Sequence, residues 1–186
     1  MAVKKQWYEI IAPKMFDEKT IGEALAADPR ELMGRTIETS LAELDRAMTK
    51  FYMKLKFQVT RTEGSKAYTE FVSHSVMYER IYRIVQRHMR RVDCIQDITT
   101  KDGKRIRVKT IFVIARRLNT SLKKATRHAA EELVEKAVQN YTLEELINAI
   151  LDDELQQSIR KELNKIYPVS VVEIRKTELL PEKKAA

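Results

Sequence analysis

Residues 91–115 read RVDCIQDITTKDGKRIRVKTIFVIA, and this stretch predicts the centre of the fold. Two runs of apolar and β-branched residues flank the tetrapeptide KDGK, whose Asp-Gly pair suits the positive φ angles of a tight turn. In the second run, the even positions 106–114 are Ile, Val, Thr, Phe and Ile, whereas the odd positions begin with Arg105, Arg107 and Lys109. The stretch therefore predicts a β-hairpin whose second strand has one buried face and one cationic face.

Alternation of apolar and polar positions recurs outside this hairpin. It is clearest in residues 51–59, where every odd position is apolar and the even positions include Lys54, Lys56 and Gln58. Such a pattern predicts a strand with one buried side. In all we expect about seven strands, at residues 7–12, 34–44, 51–59, 67–73, 91–100, 105–115 and 169–174. This number is enough for a curled, barrel-like antiparallel sheet.

Helical spacing of apolar residues appears between and after these strands. Residues 74–89 predict an inserted helix that carries a stripe of arginines, and residues 121–141 predict a longer helix. In the longer helix we expect one apolar stripe, formed by Leu122, Ala125, Ala129, Leu133 and Ala137.

Two further helices are predicted near the C-terminus. Thr142 and Glu145 have the spacing of a capping box, which opens the first of them. Asp152 or Asp153 would begin the second, which must end before Pro168. We interpret these aspartates as helix caps rather than as an acid/base cluster, because negative charge is favourable at a helix N-terminus.

Together these elements predict an α+β protein: a curled, barrel-like antiparallel β-sheet with an inserted helix and a C-terminal helical segment. We expect residues 1–186 to form a single domain. Within it, residues 1–120 would be a β-rich basic core, and residues 121–186 would be a helical segment with a final strand.

The charge of the chain is distributed unevenly. Residues 1–128 contain 27 basic and 15 acidic side chains, whereas residues 129–186 contain 8 basic and 12 acidic ones. The strongest bias lies in residues 80–127, where 15 cations accompany only three anions, Asp93, Asp97 and Asp102. A merely solvated surface mixes both signs, so this window indicates a polyanionic partner.

Composition excludes several other classes. The 4 glycines are scattered, so no glycine-rich phosphate loop can form. The 3 histidines are far apart in sequence and Cys94 is the single cysteine, so we expect no metal site and no cofactor. Cys94 and Trp7 are interpreted as buried apolar residues, although Trp7, Tyr8 and Phe16 could also stack on nucleic-acid bases. No apolar segment reaches membrane-spanning length, and no signal peptide is evident, so we expect a cytoplasmic protein.

Four blocks of the sequence resemble one family of ribosomal proteins. The blocks are KKQWYEIIAPKMF at residues 4–16, GRTIETSLAEL at 34–44, TKDGKRIR at 100–107 and YPVSVVEIRK at 167–176. In order and separation they resemble the archaeal and eukaryotic small-subunit protein family called S-three-Ae, or eS-one. The chain lacks the basic N-terminal extension and longer C-terminal tail of the eukaryotic members, and so looks archaeal.

The resemblance implies a structural protein of the small (30S) ribosomal subunit without catalytic activity. It implies a place on the platform, near the mRNA exit and the 3′ end of the rRNA. The expected partners are small-subunit rRNA and neighbouring ribosomal proteins, with mRNA a further candidate near the exit, and no membrane is involved.

The predicted RNA contacts follow from charge geometry and not from a family motif. The hairpin and the arginines of residues 80–91 would each present a ridge of cations to rRNA phosphates. The predicted RNA-binding residues are Lys4, Lys5, Lys14, Arg80, Arg83, Arg87, Arg90, Arg91, Lys101, Lys104, Arg105, Arg107, Lys109, Arg116, Arg117, Lys123, Lys124 and Arg127.

Two other functions are compatible with a basic α+β protein. The first alternative is a free-standing single-stranded RNA-binding factor that acts in translation or RNA handling. The second is an RNA-processing enzyme, which the sequence disfavours because no set of base, nucleophile and metal ligands is recognisable.

Overall fold

The computed structural model describes residues 5–44, 48–115 and 119–181. In these residues it contains eight strands and four α-helices, so the α+β class is confirmed. The strands are β1 (Gln6–Ile11), β2 (Thr20–Ala26), β3 (Thr36–Ser40), β4 (Met53–Glu63), β5 (Lys66–Val76), β6 (Arg90–Thr99), β7 (Arg105–Ile114) and β8 (Val169–Leu179). The helices are α1 (Tyr78–Ile84), α2 (Thr120–Asn140), α3 (Leu143–Leu151) and α4 (Glu154–Leu163). Strand β2 is the element that the sequence analysis did not predict.

The chain divides into two compact units, an N-terminal unit of residues 1–75 and a C-terminal unit of residues 76–186. In the N-terminal unit the strands are ordered β2-β1-β5-β4-β3. β1 and β2 are antiparallel, but β1 and β5 run parallel, so the purely antiparallel pairing that we expected is wrong at this position. Among the described residues β2 and β3 form no ladder with each other, so this sheet is open and not closed into a barrel.

The core of the N-terminal unit is built from alternate strand residues. Tyr8 and Ile10 of β1 point into a cluster that includes Val59 of β4 and Ala67 of β5. Because successive strand residues point to opposite faces, Trp7 lies on the other face of β1 and is 63% exposed. The interpretation of Trp7 as a core residue is therefore wrong, whereas the neighbouring Tyr8 is only 3% exposed.

The C-terminal unit contains the hairpin predicted from residues 91–115. β6 and β7 pair in antiparallel register from Arg90 opposite Ile114 to Thr99 opposite Arg105. β8 pairs antiparallel with the other edge of β7, so β7 is the central strand of the three. Helix α2 packs against β6 and α4 packs against β8.

Helix α1 is shorter than the predicted inserted helix. β5 continues to Val76, and α1 spans only Tyr78–Ile84. The chain then turns through residues 85–89 and enters β6. The arginines of residues 80–91 therefore do not share one helical stripe, because only Arg80 and Arg83 belong to the helix.

The C-terminal helices follow the predicted boundaries closely. The buried positions of α2 are Thr126, Ala130, Val134 and Val138, so the apolar stripe predicted for this helix was displaced by one residue. The Thr142–Glu145 capping box is present at the start of α3. Asp153 precedes α4 as predicted, but with a φ of 63° its side chain makes no capping hydrogen bond. In the described ranges, no helix is both long and apolar enough to span a bilayer.

Candidate nucleic-acid interface

The tip of the β6–β7 hairpin is held by hydrogen bonds although its side chains are exposed. The Thr100 N–H donates to the Lys104 carbonyl at 2.9 Å, and Gly103 adopts a φ of 76°, which favours glycine. The turn is also tied to α3, because the Asp102 carboxylate accepts from the Leu143 N–H at 2.9 Å. The backbone thus fixes the position of two exposed cations, Lys101 and Lys104.

The predicted faces of β7 are confirmed. Ile106, Val108 and Thr110 are each 2% exposed or less. Arg105 and Lys109 lie on the opposite face and are half-buried. Helix α2 covers the buried face, as shown by the hydrogen bond of 3.0 Å from the Gln96 Nε2 of β6 to the Glu131 carbonyl of α2.

Two of the three cations on this strand are engaged by carboxylates of neighbouring strands. The Arg107 guanidinium donates to both carboxylate oxygens of Asp97 on β6, at 2.6 and 2.7 Å. Lys109 Nζ lies 2.8 Å from the Glu178 Oε2 of β8, and Lys176 binds the other oxygen at 2.5 Å. The hydrogen bonds from Arg107 lower the pKa of Asp97, and those from Lys109 and Lys176 lower the pKa of Glu178. Both carboxylates are therefore held as anions.

Three further predicted cations also have carboxylate partners. Arg91 lies 3.0 Å from Asp93, and Arg127 lies 2.9 Å from Glu131. Arg80 points to the buried Glu173 of β8, with 3.9 Å between Nη2 and Oε2. With Arg107 and Lys109, these residues form a paired set of five cations whose charge is compensated inside the protein.

A second set of predicted cations forms no ion pair among the described residues. Three of its members lie at the turn of the hairpin, and we call them the tip cluster: Lys101, Lys104 and Arg105. Four others lie at or just before the start of β6, or near the start of α2, and we call them the strand-start cluster: Arg87, Arg90, Lys123 and Lys124. Arg83 on α1 is also exposed and belongs to neither cluster.

Helix α2 runs beside β6 in the same direction. Gln96 contacts Glu131, and farther along both elements the Lys101 N–H donates to the Tyr141 carbonyl at 3.1 Å. The beginning of α2, with Lys123 and Lys124, therefore lies towards the end of β6 at which Arg90 stands. The two clusters are separated by the ten residues of β6, a span of roughly 30 Å at about 3.3 Å per residue.

The remaining predicted residues are placed elsewhere or are not described. Lys5 and Lys14 are exposed in the N-terminal unit. Lys4, Arg116 and Arg117 lie outside the described residues.

The part of the chain that the structure describes contains no candidate metal site. No group of three or more His, Cys, Asp or Glu side chains in this part of the chain could hold a metal ion. Burial raises the pKa of Cys94 to about 12, so its thiol stays protonated and behaves as a small apolar side chain, as predicted. Burial also lowers the pKa of His74 to about 4, and this histidine is neutral at physiological pH.

The sequence analysis missed an exposed aromatic and cationic surface on α1. Tyr78 and Tyr82 are 61% and 75% exposed, and the guanidinium carbon of Arg175 lies 5.8 Å from the centre of the Tyr78 ring. Tyrosines in residues 74–89 were assigned no role. Arg175 was missed because the last strand was expected to end at residue 174, whereas β8 continues to Leu179.

Comparison with known proteins gives a consistent result over the whole chain. Residues 2–183 match the family described as the Ribosomal S3Ae family. The chain is 38% identical over 176 residues to the small ribosomal subunit protein eS1 of Methanothrix thermoacetophila, with 95% of this chain and 83% of that protein covered. It is 35% identical over 179 residues to the protein of the same name from Methanothermobacter thermautotrophicus, with 96% and 92% covered.

Proposed function

Because the chain belongs to the Ribosomal S3Ae family, we propose that it binds small-subunit rRNA through its tip and strand-start clusters. The chain is a structural constituent of the archaeal small ribosomal subunit and not an enzyme. Its partners are accordingly rRNA and neighbouring ribosomal proteins, and its location is the ribosome. The proposal concerns which residues carry the RNA contact and where on the subunit they do so.

The observation that carries the proposal is the separation of the predicted cations into paired and unpaired sets. A cation that already has a carboxylate partner must lose that interaction, or share it, before it can bind a phosphate. The seven residues of the two clusters form no such ion pair among the described residues, and six of them are exposed. They are therefore the groups best able to replace the counterions of an RNA backbone.

We place the interface on the platform of the small subunit, near the mRNA exit and the 3′ end of the rRNA, as the family resemblance implies. Two cationic clusters separated by about 30 Å along β6 suit contacts with two separate segments of folded rRNA. The acidic C-terminal part of the chain, which includes α3 and α4, would face neighbouring proteins or solvent. This location would also bring the protein within reach of mRNA near the exit.

The salt dependence of RNA binding tests the proposal. If the seven cations neutralise seven phosphates, a plot of log K against log salt for the full chain and structured RNA should have a slope of roughly −5 to −6. Substituting the tip cluster together, as K101Q/K104Q/R105Q, should make the slope shallower by about 2 to 3. A slope near zero for the unaltered protein would contradict the proposal.

The matched control removes the same charge elsewhere. K66Q/K136Q/K161Q changes three exposed lysines outside both clusters that form no ion pair among the described residues, and it should leave the slope nearly unchanged. An equal loss in both variants would mean that net charge, and not the location of the tip cluster, governs binding. Sedimentation separates the free-standing alternative, because a ribosomal protein stays with small subunits through moderate salt, whereas a loosely bound factor is washed off.

A further inference from the structure

Helix α1 exposes two large aromatic side chains on the same side. Tyr78 and Tyr82 are four residues apart, so they are neighbours on the helix surface, and they are 61% and 75% exposed. The helix is anchored by Ile81, which is 4% exposed. On the inner side, Arg80 is directed towards the buried Glu173 of β8. The two tyrosines are thus held on an anchored helix while most of each side chain remains exposed to solvent.

The surroundings of the two rings are cationic. The Arg175 guanidinium lies over the Tyr78 ring at 5.8 Å from its centre, and Arg83 directly follows Tyr82 on the exposed side of the helix. Neither arginine forms an ion pair with a described residue. In residues 78–91 there are five arginines and one acidic residue, Glu79. A ligand for this surface must therefore offer both flat apolar faces and negative charge.

We propose that Tyr78 and Tyr82 form a stacking site for unpaired bases of RNA, with Arg83 and Arg175 bound to the adjoining phosphates. The inference rests on the proposed rRNA-binding function and deepens it, because the two cationic clusters can bind any backbone whereas this site requires single-stranded nucleotides. Base faces are accessible only where the strand is unpaired, as in loops, bulges and ends. Stacking on an aromatic ring is tolerant of sequence and adds to the phosphate contacts.

An exposed pair of tyrosines could instead belong to an interface with another protein, since tyrosine is common in such interfaces. The excess of unpaired arginines around the rings favours RNA, because most of the protein partners in a ribosome-bound complex would themselves be basic in order to bind the same rRNA. A base-stacking site and a protein interface lead to different results in the following experiment.

The experiment compares two RNAs and two double variants of the full chain. The probes are a single-stranded oligonucleotide that carries 2-aminopurine and a fully paired duplex with the same number of phosphates. Y78A/Y82A removes both rings, and alanine is a better helix former than tyrosine, so α1 is retained. Y78F/Y82F keeps both rings and serves as the matched control.

We expect Y78A/Y82A to weaken single-strand binding by at least fivefold and to abolish the quenching of 2-aminopurine on binding. Y78F/Y82F should preserve both properties, and duplex affinity should be the same for all three proteins. Unchanged single-strand affinity and quenching in Y78A/Y82A, or an equal loss on both RNAs, would overturn the stacking site. Loss of binding to a neighbouring ribosomal protein in that variant would then assign the tyrosines to a protein interface.

Failure of this inference can be distinguished from failure of the proposed function. If the duplex still binds with a steep salt slope that the tip-cluster substitutions reduce, only the stacking site is wrong. If the unaltered protein binds neither RNA, both proposals are wrong. Far-ultraviolet circular dichroism of each variant verifies that the fold is unchanged.

Discussion

Arg107 on β7 and Asp97 on β6 are directly opposite each other, and they form a bidentate ion pair with hydrogen bonds of 2.6 and 2.7 Å. Each of the three anions in the basic window of residues 80–127 is engaged within the C-terminal unit. Asp93 binds Arg91, Asp97 binds Arg107, and Asp102 accepts a hydrogen bond from the start of α3. Two of these anions thus compensate cations of the same window, and the other paired cations are compensated by glutamates outside it.

With both partners present, the Arg107–Asp97 ion pair should neither raise nor lower the affinity for RNA. Substituting Arg107→Gln alone should weaken RNA binding, because it removes a cation and leaves the Asp97 carboxylate uncompensated beside the RNA. The double variant R107Q/D97N should regain most of the affinity of the unaltered protein. Filter binding at fixed salt measures both, and a double variant as weak as R107Q would show that Arg107 binds phosphate directly.

Changes on the two faces of β7 should separate binding from folding. Ile106 is 2% exposed, so Ile106→Asp buries an unpaired charge and should cost about 3 to 5 kcal/mol in the free energy of unfolding. Arg105→Glu on the opposite face should leave the thermal transition nearly unchanged and weaken RNA binding. Circular dichroism melts and binding curves test the pair, and an equal loss of fold in both variants would contradict the assignment of faces.

The C-terminal residues should be necessary for the fold of the C-terminal unit. A chain ending at Asp153 lacks α4 and β8, and β8 pairs with β7 from Val169 opposite Ile114 to Leu179 opposite Ile106. The truncation therefore uncovers one edge of β7 and removes the buried Leu155 and Ile159 of α4. We expect aggregation in size-exclusion chromatography. A soluble fragment with a cooperative melt and full RNA affinity would show that residues 1–153 fold independently.

His74 should make the stability of the protein depend on pH between about 6.5 and 4. It is 1% exposed, neither ring nitrogen has a hydrogen-bond partner among the described residues, and burial lowers its pKa to about 4. Below the unfolded pKa of about 6.5, the unfolded chain gains a proton that the folded chain does not, so the free energy of unfolding falls as pH decreases. The decrease should approach a value on the order of 3 kcal/mol near pH 4.

The variant His74→Leu isolates this effect from the acid titration of the carboxylates. The carboxylates are common to both proteins, so the difference in unfolding free energy between the variant and the unaltered chain reports His74. Urea unfolding at pH 7, 5.5 and 4.5 should show the variant gaining relative stability as the pH decreases. A difference that stays constant across this range would mean that His74 becomes protonated in the folded state.

Local patterns predicted seven of the eight described strands and the helices after residue 119, because this information is carried within a few residues. The Asp-Gly turn and the alternation on either side of it determine the β6–β7 hairpin and the two faces of β7. The capping box at Thr142 and Glu145 likewise depends on a spacing of three residues. The pairing of Arg107 with Asp97 could also have been predicted, because the turn sets the register of the hairpin.

The sequence by itself therefore determined the α+β class, the hairpin with its cationic face, the main helices after residue 119, and the family. Only the tertiary structure decided which cations are compensated. Glu178 pairs with Lys109 and Glu173 pairs with Arg80, although β8 is about 70 to 90 residues away from these cations in sequence. It also decided that β5 continues to Val76 and that Trp7 is exposed, since burial depends on which face of a strand the rest of the chain covers. The residues that bury a strand face are distant from it in sequence, so no local pattern encodes which face is buried.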